Sequence, residues 1–263
     1  MPETKYAVIT GGSKGLGFSF AKYLAIEEGY SVILIARAEK SLNEAVAQIE
    51  NAGGKAFAFS GDVSDIATIR DITRCVAERF TKVDFLINNA CVLHVDELKD
   101  LEPEDAKKDI DIGLFGSIIC TKFFSPLIKD SGRILFVSSG FGLMGAAGYP
   151  VYSAVKAGVI NFAQAIKREL HKRKIKVYVA VPSDIDTPGF KSEVKTMPAW
   201  MGVSKARGKV MPADSAARRI LKKCKGKRFL VFSDVSIRIL YAANKILPAY
   251  ICEKIIDNIF PRP

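Results

Sequence analysis

Four glycines fall within seven residues, Gly11-Gly12-Ser13-Lys14-Gly15-Leu16-Gly17, between a short apolar run and a helix-like stretch. Residues 5–10 (Lys-Tyr-Ala-Val-Ile-Thr) read as a buried strand, and Phe18 to Ile26 as a helix. A strand, a glycine-rich turn and a helix in that order build a nucleotide-binding unit. Glycines let backbone N–H groups approach a pyrophosphate, and the helix N-terminus turns partial positive charge toward it. The spacing is Gly-x-x-x-Gly-x-Gly rather than the commoner Gly-x-Gly-x-x-Gly. A plain tight turn is the competing reading, but it does not need four glycines.

The alternation continues along the chain. Strand-like segments lie near 5–9, 31–36, 55–60, 83–88, 132–137, 175–181 and 228–232, with helical stretches such as Leu42–Ala52 and Ile66–Phe80 between them. This pattern predicts an α/β Rossmann fold. Its doubly wound parallel sheet has about seven strands, helices on both faces and right-handed crossovers. At 263 residues, 49% of them hydrophobic, residues 1–263 fit a single dinucleotide-binding domain, with no internal repeat or linker.

The end of the second strand bears on which dinucleotide is bound. Arg37 follows Ser31-Val32-Ile33-Leu34-Ile35-Ala36, and no acidic residue occurs in 31–38. An acidic side chain there would suit a ribose 2′-hydroxyl, whereas an arginine accommodates a 2′-phosphate. Lys14 adds a second cation and Ser13 a hydroxyl, so NADP(H) is expected over NAD(H). The alternative for Arg37 is a solvated surface arginine.

Tyr152 and Lys156 stand four residues apart, which on a helix puts phenol and ammonium on one face. A phenol normally titrates near ~10. A cation beside it lowers that value and lets the pair exchange a proton with an alcohol or ketone oxygen. Ser139, thirteen residues before the tyrosine, is a hydroxyl for the same oxygen; a helix cap in Ser138-Ser139-Gly140 is its other reading.

Together these residues resemble the short-chain dehydrogenase/reductase family over essentially the whole chain. The matching motifs are Thr10-Gly11-Gly12-Ser13-Lys14-Gly15-Leu16-Gly17, Asp62-Val63, Asn88-Asn89-Ala90, the group Ser139, Tyr152 and Lys156, and Pro182 through Thr187. The resemblance implies that Thr10, Gly11, Ser13, Lys14, Gly15, Leu16 and Gly17 hold the cofactor. Asp62 and Val63 would meet its adenine. Asn89, Ala90, Pro182, Ile185 and Thr187 would lie along it, with Tyr152 and Lys156 also touching it. Asp62 and Asn89 have simpler readings as turn residues.

Tyr152-Ser153-Ala154-Val155-Lys156 and Val181 through Phe190 look most like the 3-ketodihydrosphingosine reductase branch. That implies NADPH-dependent reduction of a long-chain lipid ketone. A 3-oxoacyl, steroid or retinoid carbonyl is the alternative, and a protein that only senses NADP(H) or scaffolds a partner is a third reading. The resemblance also implies a homodimer or homotetramer. Two positions depart from the family: Cys91 replaces the glycine of Asn-Asn-Ala-Gly, and Gly113 replaces a relay asparagine.

Five cysteines, Cys75, Cys91, Cys120, Cys224 and Cys252, show no metal-ligand spacing and read as buried thiols in a reducing, cytoplasmic setting. Met1-Pro2-Glu3-Thr4-Lys5 leads straight into the first strand, so no signal sequence is expected. No unbroken run reaches the ~18 apolar residues of a membrane span.

The net charge of +11 is concentrated late in the chain: residues 218–263 hold eleven Lys and Arg against three Asp and Glu. Residues 236–263 read as a basic amphipathic tail, with Ile237, Leu240 and Tyr241, then Ile251, Ile255, Ile256 and Ile259, at helical spacing. Peripheral contact with an anionic membrane face and packing on the core or a second subunit are both open. Nucleic acid is not expected, because no recognition motif accompanies the charge. Residues 189–211, with Phe190, Met197, Trp200, Met201 and Val203, read as an apolar substrate lid; a loop and helix that cover the core permanently is the other reading.

Overall fold

The computed structural model describes residues 3–198, 200 and 210–259. Seven parallel strands form one sheet in the order β3-β2-β1-β4-β5-β6-β9. They are β1 (Lys5–Thr10), β2 (Tyr30–Ala36), β3 (Lys55–Ser60), β4 (Val83–Asn88), β5 (Ile128–Val137), β6 (Lys176–Val181) and β9 (Leu230–Phe232). A second sheet pairs β7 (Ile185–Asp186) with β8 (Met211–Pro212).

Helices cover both faces, which is why the inner strands read as unbroken apolar runs. Ala7 and Ile9 face one core, whereas Val8 between them faces the other. The first core packs α1 (Gly15–Glu27), α2 (Glu39–Asn51) and α8 (Ala213–Lys223) through Phe20, Leu24, Leu42, Ile49 and Ile220. The second packs α3 (Ile66–Phe80), α5 (Gly116–Phe124) and α6 (Pro150–Glu169) through Ile69, Val76, Phe124 and Val159. Each fully buried side chain of this kind stabilises by about 1.5–3 kcal/mol relative to exposure.

Some boundaries differ from the sequence reading. α1 begins at Gly15 rather than Phe18, because the Phe18 N–H already bonds the Lys14 carbonyl at 3.2 Å and the helical ladder starts inside the glycine turn. β5 begins at Ile128, four residues earlier than periodicity suggests, and its register shifts against β4 between Val83 and Phe85. Its half-buried Lys129 and exposed Asp130 and Ser131 hide that start from a hydrophobicity reading.

Two other expectations need correction. Helix α4 (Pro103–Ile110), a π turn (Asp111–Phe115), α5 and a short 3₁₀ turn join into one helical stretch, Pro103–Leu127. Its most apolar window reaches a mean hydropathy of 1.4 and is 44% buried, so by length and composition it would pass as a membrane span. Ile112, Ile119, Cys120 and Phe124 of this stretch sit in the second core, which makes it a core helix of the sheet. The cysteines are free, as expected, but they are not uniformly buried. Cys120, Cys224 and Cys252 are inside, Cys91 is half-buried and Cys75 is exposed. Burial pushes the Cys120 and Cys224 thiols up to about 12.

Candidate active site

The site lies at the C-terminal ends of β1, β4, β5 and β6, where loops leave the sheet. A cleft of about 1310 Å³ runs from the glycine turn past the end of β5 to the later helices. Gly11, Lys14, Gly15 and Leu16 line one end; Asn89, Ala90, Ser139, Tyr152, Lys156, Pro182, Ile185 and Thr187 line its length.

The glycine turn is built for close backbone approach. Gly11 and Gly15 adopt φ of +63° and +55°, a region that L side chains rarely enter. A Cβ at Gly17 would sit 2.2 Å from the Gly11 carbonyl oxygen and 2.5 Å from Asn89 Nδ2. Lys14, at the N-cap of α1, offers no side-chain capping bond, so the helix's first N–H groups are not capped by it. Those donors, a turn with glycine at four of its seven positions and the Lys14 ammonium at the cleft fit a dinucleotide pyrophosphate.

Two residues expected along the cofactor brace the turn, and one of them, Asn89, also lines the cleft. Thr10 is buried; its hydroxyl accepts from the Asn89 and Ala90 N–H groups at 3.0 and 3.1 Å. Asn89 Nδ2 donates to the Thr10 and Gly11 carbonyls. Thr10, Ser13, Gly17, Arg37, Asp62 and Val63 are not among the lining residues. Val63 is buried in the second core, beneath Gly116. Arg37 reaches Asp62 at 3.7 Å beyond the ends of β2 and β3, and Asp62 also accepts from the Ser64 N–H and hydroxyl. The two residues expected at the adenosine end therefore meet each other, and Asp62 has the turn role of its simpler reading.

At the centre, α6 carries Tyr152 and Lys156 one turn apart, as their spacing predicts. The Ser138 hydroxyl donates to the Lys156 carbonyl at 2.9 Å and fastens this helix to the end of β5. Ser139 has the cap role of one of its sequence readings and stands beside Tyr152. Its hydroxyl accepts from Phe141 N–H as cap of the turn Gly140–Gly142, and it also hydrogen-bonds Tyr152.

Lys156 is buried; its Nζ donates to the Val137 carbonyl at 2.9 Å and stands 5.4 Å from the Tyr152 ring centroid. Desolvation drives the Tyr152 pKa up, and nearby Cys91, Glu193 and Asp184 add to this, while the Ser139 bond opposes it. Burial thus outweighs the cation in this arrangement, contrary to the lowering expected from the Tyr–Lys pair. The phenol is protonated at neutral pH and presents a proton to the cleft.

The two departures from the family pattern meet in space. An ideal Cβ at Gly113, in the π turn Asp111–Phe115, would lie 2.7 Å from Val155 Cγ1 and 3.3 Å from Cys91 Sγ. The space for a side chain at 113 is therefore filled by Val155 and the Cys91 thiol. The Gly113 carbonyl accepts the Ser117 hydroxyl at 2.9 Å, and further bonds run through Thr121 to Asn88 on β4. Gly113→Asn is expected to lower stability by about 1–3 kcal/mol through overpacking against Val155. Urea unfolding measures this; an unchanged midpoint means that the helix yields freely there.

Sequence reasoning missed the far wall. The Tyr149 hydroxyl donates to Glu193 Oε1 at 2.7 Å, and the Tyr149 ring stands 4.7 Å from that of Phe141. Glu193 lies on α7 (Pro188–Thr196), whose N-cap Thr187 accepts from Phe190 N–H. Trp200 Nε1 donates to Glu97 at 2.9 Å. No local pattern signals such pairs, which are 44 and 103 residues apart. His94 contacts Asp109 at 2.8 Å and Asp105 at 3.4 Å beside the cleft. His171 is exposed.

Residues 5–198 match the protein family described as short chain dehydrogenase. A 3-dehydrosphinganine reductase, TSC10B of Arabidopsis thaliana, is 35% identical over 233 residues, 86% of this chain and 69% of that protein. A 3-oxoacyl-[acyl-carrier-protein] reductase of Synechocystis sp. is 34% identical over 183 residues, 69% of this chain and 74% of that protein. The crystal structure of a short chain dehydrogenase from Burkholderia cenocepacia, in complex with NADP, superposes with a TM-score of 0.80 at 26% identity. The superposition covers 89% of this chain and 98% of that one. Sheet order, glycine turn and sequence match agree, and the chain belongs to the short chain dehydrogenase family of oxidoreductases.

Proposed function

We propose that the chain is an NADPH-dependent reductase of a ketone borne on a long apolar molecule, with Tyr152 as proton donor. The carrying observation is the meeting of Tyr152, Ser139 and Lys156 on one cleft with the glycine turn. The nicotinamide, when bound, supplies the hydride chemistry. Tyr152 gives its proton to the carbonyl oxygen. Ser139 hydrogen-bonds the same oxygen as charge develops there. Lys156, now on the Val137 carbonyl, holds the ribose and favours the phenolate left behind. Arg37 and Lys14 provide positive charge for a 2′-phosphate and the pyrophosphate, which selects NADPH over NADH.

The substrate reading rests on the outer cleft. Leu93, Val95, Phe141, Met144 and Phe190 give it apolar walls. Asp184 and Glu193 also line it, close enough to Tyr152 to hold its proton in place. Carboxylates beside the reacting oxygen suit a ketone with a neighbouring ammonium, as in 3-ketodihydrosphingosine, better than an anionic acyl carrier. The relative from Arabidopsis supports this reading; the relative from Synechocystis supports a 3-oxoacyl thioester as the second one. Helix α7 with Trp200 forms the described part of the lid, tied down through Glu193 and Glu97; residues 199 and 201–209 of the lid lie outside the described residues.

Steady-state NADPH oxidation across 3-ketodihydrosphingosine, a 3-oxoacyl thioester and an uncharged long-chain ketone tests the assignment. The amino ketone is expected to show the highest kcat/KM, and NADPH to raise the melting temperature more than NADH. Stabilisation by NADPH with no turnover on any ketone would point to a sensor instead.

A further inference from the structure

Helix α9 (Val235–Ile246) is apolar on two opposite faces. On the inner face, Ile237 and Leu240 line the reaction cleft, and Ile237 and Tyr241 pack on the second core. On the outer face, Val235, Ile239, Ala242 and Ile246 recur at i, i+4, i+7 and i+11, a single stripe, and all four are exposed. Val235 is 66% accessible, Ile239 63% and Ile246 81%. Leu247 and Tyr250 extend the exposed row into α10 (Ala249–Ile259). Scattered exposed leucines and isoleucines are ordinary; a continuous stripe marks something that covers it.

Charge indicates what that is. Arg238 and Lys245, seven residues apart, flank the stripe, and α9 carries no Asp or Glu. Asp234, just before the helix, is committed to capping it through the Ile237 N–H and to the Ser236 hydroxyl. Arg238 also lies near Lys223, together with Arg219 and Arg228. After burial, these three guanidinium groups are what pull the Lys223 pKa down, against the opposing Asp234. On α10, Lys254 stands against Glu253 and, one turn further on, Asp257, so the positive charge belongs to α9 and not to the later part of α10. A second copy packed antiparallel on this stripe would set its cation row beside the first, and α9 offers no carboxylate to pair with either. An anionic lipid surface would instead neutralise the row while its acyl boundary takes the stripe.

We propose that α9 and the start of α10 dock this protein on an anionic phospholipid bilayer, so that the wall formed by Ile237 and Leu240 joins the cleft to the membrane. A ketone dissolved in lipid then reaches Tyr152 along the helix that touches the bilayer, without crossing water. The entry route rests on the lipid-ketone reading given above; the docking does not.

Flotation of the full chain with phosphatidylcholine vesicles, with and without phosphatidylglycerol, tests the docking directly. The protein is expected to float with the anionic vesicles, and high salt to release it. Ile239→Glu with Ile246→Glu, and separately Arg238→Glu with Lys245→Glu, should each cut the bound fraction about ten-fold. Stabilisation by NADPH equal to the parent's verifies that each variant is folded; of the two pairs, the charge-reversal pair leaves the apolar packing untouched. Failure of the parent to float, or equal flotation of both variants, overturns the proposal. So does a parent dimer that Ile239→Glu with Ile246→Glu converts to monomer. Flotation needs no turnover, so it stands apart from the ketone assays. A protein that reduces long-chain ketone in detergent but never floats retains the reductase reading and loses the docking.

Discussion

Tyr152→Phe is expected to slow ketone reduction by about 10²–10⁴-fold, the usual contribution of a positioned general acid. NADPH affinity should stay nearly unchanged. The substitution removes one hydroxyl and keeps the ring, which lies 6.4 Å from Phe141 and 6.3 Å from Tyr149. Its packing therefore survives, as does the position of Lys156 on the Val137 carbonyl. What disappears is the proton that burial, Glu193 and Asp184 hold on the phenol at neutral pH. Ser139 remains as a hydrogen-bond donor but has no cation to support its ionisation. Steady-state kcat, read beside nucleotide-induced thermal stabilisation, separates the two effects. Turnover within ten-fold of the parent would remove the tyrosine from its role.

Gly17→Ala is expected to be the most damaging single-methyl change in the nucleotide unit. The new Cβ would sit 2.2 Å from the Gly11 carbonyl oxygen and 2.5 Å from Asn89 Nδ2. Neither is the free end of a flexible chain: one is backbone, and the other is held by the Thr10 and Gly11 carbonyls. Either α1 retreats from β1, or the turn opens and releases Asn89. Such overpacking costs about 3 kcal/mol, a loss of roughly 6–12 °C in Tm for a domain of this size. The moved N–H groups would also no longer converge on a pyrophosphate, so stabilisation by NADPH should vanish. A variant that melts like the parent and still responds to NADPH would show that these glycines are not needed for close approach.

Much of the architecture is legible in the sequence because it is local. Unbroken apolar runs mark strands covered on both sides, and six of the seven expected strands lie within about two residues of their observed bounds. β5 is the exception, since polar Lys129, Asp130 and Ser131 follow its buried first residue and the last two are exposed. The tyrosine–lysine spacing likewise survives folding, because a helix fixes the relative placement of residues four apart. The branched nature of Val155 is equally plain in the sequence. Its consequence, that no side chain fits at Gly113, needs the crossing of α6 over the π turn.

Taken alone, the sequence determined the alternating α/β fold, the glycine-rich turn and the partnership of Tyr152 with Lys156. Each of these depends on neighbours a few bonds away. Tertiary structure decided that Thr10 braces the glycine turn from outside the cleft lining, that Asn89 braces it while lining the cleft, and that Glu193 joins Tyr149 across the far wall. It also placed the inner face of α9 on the cleft and its outer face in solvent. Those outcomes depend on which surfaces meet after burial, and contacts between segments far apart in the chain leave no periodic trace in it.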